Sequence, residues 1–149
     1  MLPPALDMVR QLVATPSVSS PDLRFDQSNR GVIDLVADWA ASLGFSVRVE
    51  ALPGDSSKAN LIATLGEGEG GLVLSGHTDT VPYDAERWTD DPFALTERDG
   101  KLYGLGTADM KGFFAAALHA ISRVDLSGLR SPITILGTAD EESTMNGAR

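Results

Sequence analysis

Apolar residues recur along this chain with two different periods. The first is helical. Leu6, Val9, Leu12 and Val13 follow Pro3-Pro4 at the spacing of one helix face. A proline suits a first helical turn, where its missing N–H is not needed. Pro16 closes this helix, because the residue before a proline avoids helical backbone. The stretch from Thr15 to Pro21 then predicts a loop. A second helix is expected to begin near Ser28 or Asn29, each an acceptable N-cap. Val32, Leu35, Val36, Trp39, Ala40 and Leu43 make its apolar stripe, with Asp34 and Asp38 off it. Gly44 stands where a helix-terminating glycine belongs, and Trp39 is assigned to the core.

The period then drops to two. Phe45, Val47 and Val49 alternate with Ser46, Arg48 and Glu50, which predicts a half-buried strand. Pro53 to Ser57 predicts a turn, and Asn60 to Leu65 a second strand. Gly66 to Gly71 is glycine-rich but acidic, and no helix follows to offer its N–H groups to a phosphate. It reads as a hairpin loop leading to Leu72-Val73-Leu74, expected as a fully buried strand. Asp99-Gly100, between Leu95 and Leu102, predicts a tight turn. Met110, Phe113, Phe114, Ala117, Leu118 and Ile121 form another helical stripe, with Asp109 at its N-terminus and Arg123 in its last turn. After a linker from Leu126 to Pro132, Ile133 to Gly137 predicts a buried strand that runs into Asp140-Glu141-Glu142. Helices mixed with buried-type strands argue for an α/β layered domain.

Composition narrows what such a domain does. The 149 residues suffice for one domain with a real core. Twelve basic against 21 acidic residues give a net charge of -9, which disfavours nucleic acid and anionic membrane as partners. There is no cysteine, so disulfides and thiolate metal sites are excluded, and any metal must rest on His, Asp and Glu. No basic leader with an apolar core and no membrane-length apolar run is visible, so a cytoplasmic location is expected.

Three places carry candidate chemistry. In Ser75-Gly76-His77-Thr78-Asp79-Thr80, His77 and Asp79 lie two apart and face one side of an extended segment. A carboxylate beside an imidazole can accept its N–H and fix the tautomer; taken alone, so short a motif favours the plainer reading, a polar turn after a strand. Asp109 is either a first-turn acid or a carboxylate bridging two cations about 3.5–4 Å apart. Glu141-Glu142 is either a solvated turn or a pair at a strand's C-terminal end, where open α/β sheets place their sites. One of the two can then hold a metal while the other moves a proton. His119 is assigned to the surface, Asp90-Asp91 to a loop and Lys111 to solvent.

These pieces form an ordered series: Ser75 to Pro82, Trp88 with Asp91-Pro92-Phe93, Gly100 to Gly112, and Thr138 to Glu142. The series resembles the co-catalytic zinc deacetylases and peptidases, a family that includes acetylornithine deacetylase, succinyl-diaminopimelate desuccinylase and carboxypeptidase G-type enzymes. Gly104-Leu105-Gly106, Phe113-Phe114 and the run from Glu142 to Arg149 resemble its acetylornithine deacetylase branch. The resemblance implies a partial zinc-peptidase-like catalytic domain, a central mixed sheet flanked by helices. Residues 1–149 would be its N-terminal part, with the remainder and a dimerisation domain absent. It implies that His77 ligates one metal, Asp109 bridges both, Glu142 ligates the second, Glu141 is the general base and Asp79 orients His77. The metals would be two zinc ions, with cobalt as an alternative. The substrate would be a small N-acyl amino acid: N2-acetylornithine first, with succinyl-diaminopimelate, other acyl-amino acids and dipeptides as alternatives. A further acidic ligand and a histidine are expected beyond Arg149, in a longer, homodimeric protein. The chain alone is then expected to hold an incomplete site, and a non-catalytic, self-associating fragment is the competing expectation.

Overall fold

The structure, a computed structural model, describes all residues from Met1 to Arg149. In chain order the elements are helix α1 (Ala5–Ala14), helix α2 (Arg30–Ser42), strands β1 (Ser46–Leu52), β2 (Asp55–Leu65) and β3 (Leu72–His77), a small hairpin of β4 (Thr96–Arg98) and β5 (Lys101–Tyr103), helix α3 (Lys111–Ser122) and strand β6 (Ile133–Thr138). The main sheet is mixed, in the order β1-β2-β6-β3. β1 and β6 both run antiparallel to β2, and β3 is parallel to β6.

The predicted stripes become one core. Met8 and Leu12 of α1, Val32, Val36 and Trp39 of α2, and Phe114 and Leu118 of α3 pack on the sheet face that presents Leu61, Ala63 and Ile135. Those three strand residues share a face by register, since Ala63 pairs with Ile135 and Leu61 with Gly137. Gly44 ends α2 with a φ of 91°, which a side chain would make costly. No helix is long and apolar enough to cross a membrane.

Several local expectations need correction. The loop from Gly66 to Gly71 does not close a hairpin, because β6 lies between β2 and β3. The two apolar runs are neighbours in sequence only; α3 carries the chain across to lay β6 parallel to β3, as parallel pairing requires. β3 is also not fully buried. It is an edge strand, with Leu72 54% and Val73 59% exposed. β2 starts earlier than predicted, at Asp55, and only Pro53-Gly54 separates it from β1. The α2 stripe includes buried Ile33 as well.

Asn29 precedes α2 but makes no side-chain cap. Its buried amide instead donates to Ala59 O (2.8 Å) and Thr78 Oγ1 (2.7 Å), and accepts from the Ala59 N–H (2.9 Å). It pins the start of α2 to β2 and to the segment after β3. α3 begins at Lys111, so Asp109 lies just ahead of the helix rather than in its first turn.

Candidate metal centre

His77 is the last residue of β3 and pairs in register with Thr138, the last residue of β6. Two parallel strands therefore end at one level, and their outgoing segments leave side by side. The Thr78 N–H donates to Thr138 O at 2.9 Å, holding these exits together. On the far side, Thr80 bridges to Val18, with the Ser19 N–H donating to Thr80 O at 2.9 Å.

The imidazole of His77 is nearly buried and is contacted on both nitrogens. Nδ1 lies 3.1 Å from the backbone carbonyl of Asp79 and 3.6 Å from its carboxylate. Nε2 lies 3.0 Å from Asp109 Oδ1 and 3.9 Å from Glu141 Oε2. The Asp79 carboxylate does a second task. Its two oxygens accept the N–H groups of Glu141 (3.3 Å) and Glu142 (3.0 Å). One buried carboxylate thus touches the histidine and holds the turn that carries both glutamates.

All five predicted residues converge here. Ligand atoms of His77, Glu141 and Glu142 lie within 4.8 Å of one another, with the exposed Asp109 directly against His77. The peptide between Asp109 and Met110 is cis. One imidazole among four carboxylates is a crowded set of charges, and the pKa of each shifted group follows from its own contacts. The Asp79 carboxylate, opposed by burial and helped by Asp109, raises the His77 pKa to about 9. Burial pushes Asp79 up, but its bonds from His77 and the Glu142 N–H outweigh this and hold it below the usual carboxylate value. Glu142 is raised by burial first and then by the negative charge of Asp109, Glu141 and Asp79, with His77 opposing. An imidazole nitrogen with surplus carboxylate oxygens fits zinc or a similar divalent cation, which would relieve that repulsion.

A cation taking His77 Nε2 must displace its proton. Because the His77 pKa is raised to about 9, the apparent affinity for Co²⁺ should climb with pH by about tenfold per unit and level off above about 9. Calorimetric titration across that range, with proton release measured in two buffers, checks this.

Two further groups were missed or misplaced by sequence reasoning. Lys111 is fully buried rather than solvated: its Nζ donates to Thr15 O at 2.9 Å, and burial lowers its pKa to about 8. Asp140 is buried and ion-paired with Lys58. Nothing in the apolar pattern marked Lys58, which stands in β2 between Ser57 and Ala59.

An α/β domain with histidine and carboxylates gathered at the exits of two parallel strands defines a class of metal-assisted hydrolase folds. Residues 73–149 match the sequence model of peptidase family M20/M25/M40, and the chain belongs to that family. It is 57% identical over 148 residues to an acetylornithine deacetylase of Proteus mirabilis (strain HI4320), a match covering 99% of this chain and 38% of the relative. It is 60% identical over 148 residues to an acetylornithine deacetylase of Pasteurella multocida (strain Pm70), covering 99% and 39%. The chain therefore spans about two fifths of the length of the curated relatives it matches. Human carnosine dipeptidase 1 shares the fold with a TM-score of 0.73 at 28% identity, over 89% of this chain and 31% of that one.

Proposed function

We propose that this chain carries the metal-binding and proton-transfer groups of a zinc-dependent amide hydrolase that removes the acetyl group from N2-acetylornithine, giving ornithine and acetate. The convergence of His77, Asp109, Glu141 and Glu142 at the exits of β3 and β6 carries the reading. Identity of 57% and 60% to acetylornithine deacetylases supports this choice of substrate. On this reading His77 would hold one ion, Glu142 would hold a second, and Asp109 would be shared between them. Bound zinc would polarise the acetyl carbonyl and make water a stronger nucleophile near neutral pH.

The chain's own residues do the rest. Glu141, exposed to the site, takes the proton of the attacking water and returns it to the departing amine. Asp79 holds the Glu141-Glu142 turn through its two N–H bonds and keeps the His77 ring in place. Residues 1–149 are then one part of a catalytic domain in a homodimeric, cytoplasmic enzyme of arginine biosynthesis. The 38% and 39% of the relatives' length that they span leaves room for the further acidic and histidine ligands.

Metal binding is measured by Co²⁺ titration of the protein. Turnover is measured with the protein alone and with the remaining segment of the Pasteurella relative co-expressed. The expected result is Co²⁺ binding, with kcat/KM on N2-acetylornithine above that on succinyl-diaminopimelate and dipeptides. A preference for either competitor overturns the substrate, and absence of binding with absence of turnover overturns the site.

A further inference from the structure

Beneath the Glu141-Glu142 turn lies a second ionic cluster that the proposed chemistry does not use. Lys58 projects from β2 with its side chain 5% exposed. Its Nζ pairs with Asp26 Oδ1 at 2.7 Å and with Asp140 Oδ1. Asp26 comes from the loop before α2 and also accepts the Ser20 N–H at 2.9 Å. Asp140 immediately precedes the two glutamates. Its carboxylate further accepts from Ser19 Oγ at 3.0 Å and meets Thr144 Oγ1 at 3.5 Å, while Ser19 and Ser143 hydroxyls are bonded to each other.

The backbone at Asp140 explains why such a clamp matters. Its φ is 59°, a left-handed conformation uncommon for a residue with a Cβ, and one that aspartate adopts when its side chain is held by hydrogen bonds. That bend turns the chain sharply as it leaves β6. The Asp140 carbonyl then accepts the N–H groups of Ser143 (3.3 Å) and Met145 (2.6 Å), closing the turn. The same turn offers its Glu141 and Glu142 N–H groups to Asp79. The glutamates are thus held from one side by Asp79 and from beneath by Asp140. The buried Asp140 carboxylate is faced there by the Lys58 ammonium. Without Lys58, Asp140 and Asp26 would be two like charges aimed at one buried point. Burial disfavours the ammonium, but the two carboxylates outweigh this and hold the Lys58 pKa above its usual value.

We propose that Lys58 is a positioning residue: by fixing Asp140 it sets the left-handed bend that presents Glu141 and Glu142 to the cation. The role of the glutamates rests on the function proposed above; the bend itself does not. Asp26 and Ser19 make the clamp three-sided, so the loop before α2 belongs to the same device.

The test uses Lys58→Met and Lys58→Arg in the 149-residue protein, with two readouts. Amide hydrogen exchange by NMR, without metal, follows the Glu141 and Glu142 N–H groups against those of β1. Co²⁺ titration follows affinity and the visible absorption band. In Lys58→Met the two glutamate amides should exchange at least tenfold faster while β1 amides change less than twofold. Co²⁺ affinity should fall at least tenfold, and Lys58→Arg should recover most of both. Val36→Ala, a core change remote from the turn, should lower the unfolding midpoint without touching either readout. Unchanged glutamate amides in folded Lys58→Met overturn the proposal, as does an acceleration spread evenly through β1. Should Lys58→Met not fold, Ser19→Ala removes one donor to Asp140; it should speed the same two amides severalfold, and no change there overturns the clamp. Loss of Co²⁺ binding by the unaltered protein defeats the functional reading alone, because the exchange readout needs no metal.

Discussion

Glu141→Gln should bind divalent cation as the unaltered protein does, unfold at the same temperature and, on the function proposed above, lose about 10²–10⁴-fold in kcat on N2-acetylornithine in the complemented protein. Glutamine keeps the size of the side chain and an oxygen that faces the site. It removes the ability to take a proton. The structure explains why the loss should be selective. The Glu141 side chain is 45% exposed and reaches only to 3.9 Å from His77 Nε2, so little of the fold depends on it. Its backbone N–H, which Asp79 accepts, is unaltered by the change. The split between intact binding and lost turnover distinguishes a proton carrier from a ligand. A matching fall in cation affinity would assign Glu141 to the metal instead. Rate measurements with the co-expressed complementing segment, beside Co²⁺ titration, make the comparison.

Asp79→Asn should do more damage than its near-identical shape suggests. The two carboxylate oxygens accept two different N–H groups, one from Glu141 and one from Glu142. An asparagine has one acceptor and one donor, so it can serve only one of them and must face the other with its own N–H. An unsatisfied buried donor costs about 1–3 kcal/mol. Loosening a group that orients metal ligands costs about 10–100-fold in affinity. Both losses are expected here, read by chemical denaturation and by Co²⁺ titration.

The pH dependence of stability should change as well. In the metal-free protein His77 has a pKa raised to about 9, against an ordinary value of 6.5. The stabilisation it gains from Asp79 and Asp109 is full below 6.5 and is lost as pH rises through about 9. Asp79, whose pKa is lowered, contributes stabilisation that is lost only in acid, below the usual carboxylate range. Asp79→Asn removes the larger of the two partners of His77, so the decline between 6.5 and 9 should flatten. A decline of unaltered steepness would move the partnership to Asp109 alone.

The helices were legible because their stripes are one-sided and punctuated by Pro16 and Gly44. The grouping of His77, Asp79, Glu141 and Glu142 was legible because they stand at or just beyond the ends of two apolar runs, and strand ends are where a sheet displays side chains; Asp109 instead stands just ahead of α3. What failed was neighbourhood. The run Leu72-Val73-Leu74 reports apolar character, and it cannot report that one of its sides has no strand beside it. The loop from Gly66 to Gly71 looked like a hairpin because the strand that separates its two ends lies some sixty residues further on. Asn29 read as a cap because caps are local, whereas its partners Ala59 and Thr78 are 30 and 49 residues away. Lys58 gave no signal at all: its partner Asp140 is 82 positions distant, and no period or motif spans that interval.

The place of β6 in the sheet also orders events in time. It lies inside the sheet, yet of the six strands described it is the last to leave the ribosome. Until Thr138 has emerged, β1 and β2 can form a local ribbon, but β3 has no strand to pair with and its bare edges stay open to other chains. Pairing across so long an interval is slow, since loop closure comes before any reward in contacts. When β6 does enter, it joins the ribbon to β3 and brings the Glu141-Glu142 turn up against His77 in the same movement. The cation cradle therefore does not exist until β6 has paired, and a nascent chain stalled before β6 would have β3 unpaired and no place for the ion.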